Sequence, residues 1–283
     1  MRGLGGVALA AVLSCGGPGF QDGDFRCGPA GECPPGFGCL EGACRRGVVD
    51  VDPDGGGDGG PRSDAFAGPV IYGHDPSALY RLDPLTLEVT TIGPFRYPPG
   101  VSEEIVLDLA LSRSGALVAV SLSGLYEVDP ATAACTRVGG PLPAQMSGLA
   151  YVPEGGGEVL MGAARGGSLY RFDAAYTATA VGPLGRGGCD GDIVWHGESS
   201  ELLGTLYVDP FTATELARID PTNGQTTILG STGTMEVGGL ASVDAALYAF
   251  SARLEILELD VSTGAILRRI PTPAIAWSGA AAP

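Results

Sequence analysis

Lysine is absent from this chain of 283 residues: all 16 basic residues are arginine. Neither a Walker-type phosphate loop nor a Schiff-base lysine is therefore available. Histidine is scarce, with two, His74 and His196, and so is tryptophan, with Trp195 and Trp277. Charged residues make up 17% of the chain, below the usual quarter or so. Acidic residues outnumber basic ones 32 to 16, and a net charge of −16 does not suit a phosphate backbone. No G-x-S-x-G, no H-E-x-x-H and no complete dinucleotide fingerprint occurs. Glycine (47) and proline (22) are plentiful, as a turn-rich all-β chain requires.

The first residues supply an address. "MRGLGGVALAAVLSCGG" carries one charge, Arg2, then an apolar run from Leu4 to Leu13 that is too short to span a bilayer. Val12-Leu13-Ser14-Cys15 resembles the lipobox of bacterial lipoproteins. The resemblance implies lipidation of Cys15, removal of residues 1–14 as a signal peptide, and a place in the cell envelope. Two or more acyl chains anchor stably, at about 0.8 kcal/mol per buried CH₂. Gly16 stands where an inner-membrane retention Asp would stand, so the resemblance favours the outer membrane.

After a tether over residues 15–26 comes a cysteine module over residues 27–45. Its Cys27, Cys33, Cys39 and Cys44 are spaced six, six and five apart, without the C-x-x-C pairs of zinc ribbons. Exported chains are oxidised, so two disulfides are expected, in any of three pairings. Residues 46–68 read as an acidic, glycine-rich linker. Asp50, Asp52, Asp54 and Gly55 open like a calcium loop, but Pro61 stands where a bidentate Glu is needed.

Beyond residue 69 one phrase recurs. "LYRLDPLTLEVTTIG", "LYEVDPATAACTRVG", "LYRFDAAYTATAVG", "LARIDPTNGQTTILG" and "ILELDVSTGAILRRI" align on Asp83, Asp129, Asp173, Asp220 and Asp260, which lie 46, 44, 47 and 40 residues apart. Apolar and polar residues alternate before each Asp, as in a half-buried strand. The Asp then bonds its own downstream backbone in a turn. A second alternating run usually ends at Gly: Gly93, Gly139, Gly182 and Gly230. Each phrase is therefore a β-hairpin. Two further strands precede each one, the inner starting after Asp or Gly: "DLALS", "GLAYV", "DIVWH", "GGLAS". Four strands per unit of this length mark a β-propeller blade. The phrase is similar to the YVTN and PQQ-like repeats of bacterial extracytoplasmic propellers. The first hairpin lacks an innermost strand, and "AWSGAAAP" at 276–283 resembles "MSGLAYVP" at 146–153. The expected fold is all-β: a five-bladed propeller over residues 69–283, closed by its C-terminal strand and preceded by a small disulfide-rich module.

Loops joining outermost to next innermost strands, together with those between second and third strands, form the face that such propellers use for binding, by resemblance. They hold Arg96, Tyr97, Glu103, Glu104, Arg186, Asp190, Tyr207, Asp209 and Phe211. Arginine and aromatic side chains favour Arg96, Tyr97, Arg186, Asp190, Asp209 and Phe211 as the binding set. Cys189, Asp190, Asp192 and His196 are the densest reactive cluster, read as a buried thiol beside capping aspartates. Cys135 and Cys189 fall in different blades and are expected to be separate thiols. The leading expectation is a lipid-anchored, non-enzymatic binding or scaffold protein. It has no catalytic residue, metal or cofactor. It meets the membrane through its lipid, binds an envelope protein or saccharide, and binds no nucleic acid. One alternative is a propeller lyase or quinone-dependent oxidoreductase, although the latter needs more blades and more tryptophan. Another is an outer-membrane protein assembly component, a role of longer propeller lipoproteins.

Overall fold

The computed structural model describes residues 37–40, 43–46 and 70–283, save 103, 186–187 and 208–212. Cys15, Cys27 and Cys33 lie outside the described residues. The chain divides into two units, 1–68 and 69–283. In the first, β1 (Phe37–Leu40) and β2 (Ala43–Arg46) form a hairpin whose register sets Cys39 opposite Cys44.

The second unit is a ring of five four-stranded antiparallel sheets. Blade one contributes β3 (Ile71–His74), β4 (Ala78–Leu82) and β5 (Val89–Pro94). Blade two is β6 (Val106–Leu111), β7 (Leu117–Ser121), β8 (Leu125–Val128) and β9 (Cys135–Val138). Blade three is β10 (Met146–Glu154), β11 (Gly157–Ala164), β12 (Ser168–Phe172) and β13 (Ala178–Pro183). Blade four is β14 (Gly188–His196), β15 (Glu201–Tyr207), β16 (Glu215–Ile219) and β17 (Thr226–Ser231). Blade five is β18 (Val237–Val243), β19 (Ala246–Ser251), β20 (Glu255–Leu259) and β21 (Ile266–Pro271). The last strand, β22 (Gly279–Ala281), returns to blade one and pairs with β3, Gly279 opposite His74 and Ala281 opposite Tyr72. The expected closure is thus observed.

Innermost strands touch in the order β6, β10, β14, β18, β22 and back to β6. Because strand side chains alternate, each inner strand feeds two interblade cores. Leu109 packs toward blade one and its neighbour Ala110 toward blade three. Ile193 faces blade three and Val194 faces blade five. There are five such cores, one per interblade gap. Each large side chain sealed in them contributes about 1.5–3 kcal/mol. The gap between blades five and one is filled by Trp277. Its ring meets Tyr80 and Phe250 edge-on at 5.4 and 5.3 Å, and its Nε1–H donates to Thr272 Oγ1 at 3.1 Å.

The Asp turns are built as the sequence implies. Asp83 Oδ1 accepts the N–H groups of Leu85 and Thr86 at 2.8 and 3.0 Å. Asp260 Oδ1 accepts those of Ser262 and Thr263 at 2.9 and 3.0 Å. The glycines that end the hairpins have a second purpose. A methyl on Gly182 would overlap the Asn223 carbonyl, and one on Gly230 would overlap that of Thr263. The end of each of these outer strands therefore presses on the Asp turn of the next blade, where a bare backbone is needed.

Candidate functional site

The five inner strands share one position: Asp108, Gly148, Asp192, Gly239 and Gly279. The register slips beside it in β6, β10, β14 and β18, which marks a bulge. The two carboxyls occupy the propeller axis. Asp108 Oδ2 accepts the Leu149 N–H of blade three at 2.6 Å. Asp192 Oδ2 accepts the Leu240 N–H of blade five at 2.6 Å, and its Oδ1 accepts that of Ile193 at 2.5 Å. Asp192 also accepts the Ala280 N–H of blade one, and the two carboxyls hydrogen bond to each other. Two side chains thereby tie all five blades together. The other three positions must be glycine. A methyl at Gly239 would strike the Gly279–Ala280 backbone, and one at Gly148 would strike Ile193 N.

Both carboxyls are fully buried. Burial pushes Asp192 up to about 8, against the pull of its Asp108 and backbone donors. Burial, and then the charge of Asp192, pushes Asp108 well above the carboxylate range. Asp108 therefore holds the proton that the pair shares. Beside it lies His74. The structure makes it the wholly buried last residue of β3. Its Nδ1–H donates to the Asp75 carbonyl at 2.9 Å, leaving a lone pair on Nε2. Burial lowers its pKa to about 4, so it is neutral. His74 Nε2 and Asp108 Oδ1 have no partner, and both lie where a methyl on Gly279 would sit.

This layer floors a cavity of about 300 Å³ that begins one residue further along each inner strand, at Leu109, Leu149, Ile193, Leu240 and Ala280. Its mouth holds Arg113, Glu158, Trp195, Gly197 and Asp244, on the side of the turns that join the first and second strands of each blade. Arg113 is committed there: its Nε–H and backbone N–H donate to Glu158, each at 2.9 Å.

Of the sequence-derived binding set, Arg96 and Tyr97 belong to the other end of the axis. Arg96 is exposed, and its backbone bridges to Ala134. Tyr97 is half-buried, with its hydroxyl donating to the Glu104 carbonyl at 2.9 Å and its ring edge-on to Tyr126 at 5.2 Å. Glu104 is a structural tie. Although burial opposes it, hydroxyl donors from Ser121, Ser123 and Tyr126 hold its pKa below the usual value. Arg186, Asp209 and Phe211 lie outside the described residues. So does Glu103, and so does the side chain of Asp190. The backbone of Asp190 belongs to β14, whose bulge draws "GCDGD" out of the expected loop and into the strand.

The cluster of Cys189, Asp192 and His196 does not form. Cys189 is sealed in an interblade core, and Asp192 is axial. His196 Nδ1 hydrogen bonds to Ser199 Oγ at 2.8 Å. Among the described residues, no group of three or more His, Cys, Asp or Glu is placed to hold a metal ion. Cys135 and Cys189 are separate buried thiols, and burial pushes Cys135 up to about 11. The axial layer is what sequence reasoning missed. The available signal was that this aligned position takes only Asp or Gly.

No family model and no curated protein matches the sequence. Solved structures do. A chain of the nidogen/laminin complex is similar over 76% of this chain and 97% of its own, with a TM-score of 0.50 at 9% identity. A streptogramin B lyase is similar over 73% of this chain and 66% of its own, with a TM-score of 0.43 at 16% identity. Virginiamycin B lyase from Staphylococcus aureus is similar over 75% and 73%, with a TM-score of 0.44 at 14% identity. At such identities the likeness concerns the fold alone: this chain is a β-propeller.

Proposed function

We propose that the chain is a lipid-anchored envelope propeller that binds its ligand at the axial cavity and leaves it chemically unchanged. The observation that supports this is the way the titratable groups are spent. Of the charged groups that line the cavity, Arg113 and Glu158 are paired with each other at the mouth, and the acids beneath its floor, Asp108 and Asp192, are bonded to backbone N–H groups of neighbouring blades. Native mass spectrometry of the full chain released from membranes tests it. The wild type should carry a bound species, and Gly197→Trp, at an open position on the mouth, should lose it. An empty wild type would overturn the reading. One observation favours the enzyme alternative: a carboxyl with raised pKa lies next to a cavity. Conversion of the bound species by the wild type but not by Asp108→Asn would establish that alternative.

Anchoring rests on Val12 to Cys15. Cys15→Ser should move the protein from the detergent phase to the aqueous phase in Triton X-114 partitioning. The cysteine module is part of the same reading. The β1–β2 register sets Cys39 opposite Cys44, next to the pair Leu40–Ala43. Opposite Cα atoms of an antiparallel pair are close enough for a disulfide to span. Cys39–Cys44 and Cys27–Cys33 are therefore the proposed bridges, testable by mapping peptides without reduction.

A further inference from the structure

We infer that the axial cavity is a saccharide site for one or two neutral sugar rings. The inference rests on the binding role proposed above and names its ligand. Each inner strand is the first member of its sheet, so its axial edge has no strand partner. At the floor, those free N–H groups are taken by Asp108 and Asp192. Two residues on, the same edge turns to the axis again, at Leu111, Tyr151, Trp195, Ser242 and Ala282, all of which line the cavity. Bare N–H and C=O groups alternate there, and a ligand that fills the cavity must both donate and accept. Hydroxyls do both, whereas ammonium only donates and carboxylate only accepts.

Two further features narrow the class. Half-buried Trp195 and Tyr151 line the cavity while packing against the interblade cores, and aromatic side chains of this kind suit a sugar's apolar face. The mouth selects against anions. Arg113 is already paired with Glu158, and the Asp244 carboxylate, exposed at the rim, is an acceptor for hydroxyls. A volume of about 300 Å³ is at the small end of ligand pockets, which run from about 300 to 1,000 Å³. A second cavity of about 340 Å³ shares Tyr151 and Glu158 with the first and reaches Arg171 and Tyr176. A longer saccharide has room to continue there.

The test is titration of the full chain with cellobiose, maltose, lactose and N,N′-diacetylchitobiose, and with cellobiuronic acid as the anionic control. Calorimetry and tryptophan fluorescence are read together. At least one neutral disaccharide should bind and change the fluorescence of Trp195, and the anionic control should bind at least tenfold more weakly. Trp195→Phe should abolish the optical change, and Trp195→Ala should weaken binding at least tenfold. Gly197→Trp blocks the mouth without crowding any neighbour, and it should abolish binding while its melting temperature stays that of the wild type. Failure of every neutral sugar, or binding that survives Gly197→Trp, overturns the assignment. If the sugars fail while a native bound species is still lost on Gly197→Trp, the saccharide falls and the binding role stands.

Discussion

Asp108 and Asp192 carry the clearest consequence at the scale of single residues. Both titrate higher in the fold than in the unfolded chain, where Asp sits near 3.9. Their stabilisation is therefore complete below about pH 4 and is lost as pH rises, through about 8 for Asp192. His74 works in the opposite sense. Its folded value of about 4 lies below its ordinary 6.5, so its contribution is complete above 6.5 and is lost as pH falls through 4. Stability should peak under acidic conditions and fall toward pH 9, by about 1.4 kcal/mol per unit for each proton that the fold still retains. Asp108→Asn keeps an acceptor for Leu149 and a donor for Asp192 without a titrating proton. Its thermal midpoint should fall less between pH 5 and 9 than that of the wild type, because only Asp192 still titrates, as scanning calorimetry would show. Gly279→Ala places a methyl against His74 Nε2 and Asp108 Oδ1 and should cost about 1–3 kcal/mol in denaturant melts. The alternation of Asp and Gly was visible in the repeats. Its meaning was not, because it depends on five strands meeting at one point.

Among the elements, the hairpin phrase was the most legible feature of the chain. Its two periods, its Asp turn and its terminal Gly each have a local cause. Each turn ends in a left-handed backbone, four residues after the Asp at Leu87, Ala133, Gly224 and Gly264 and three after it at Tyr176. Glycine there is free of strain, and the three side chains are held by what they touch. Ala133 is fully buried in an interblade core, and the Tyr176 hydroxyl donates to Glu127 Oε1 at 2.8 Å. Gly264→Ala should destabilise by about 1 kcal/mol, measured by urea unfolding, because φ there is 73°. What the phrase did not disclose is that Gly182 and Gly230 serve the next blade. Their neighbours are some 40 residues away in sequence, and no local pattern records that contact.

For the whole molecule, the number of sectors and the closure were readable, because "AWSGAAAP" repeats the pattern of an inner strand already present elsewhere. The binding end was not. Residue types such as Arg96 and Tyr97 indicate stickiness, but a cavity is made by geometry, and this one opens at the opposite end of the axis. Closure concentrates on Trp277, wedged between Tyr80 of blade one and Phe250 of blade five. Trp277→Ala should cost about 3–5 kcal/mol. Deletion of residues 276–283 removes the wedge and β22 together, and leaves β3 as a bare inner edge. That variant should associate in light scattering where the full chain does not.

The pairing of His74 with Gly279 has a temporal side. About 200 residues separate them, so blade one stays unfinished until its last strand has emerged from the ribosome. Until then the molecule is an open arc rather than a circle. It locks only when its final strand reaches β3.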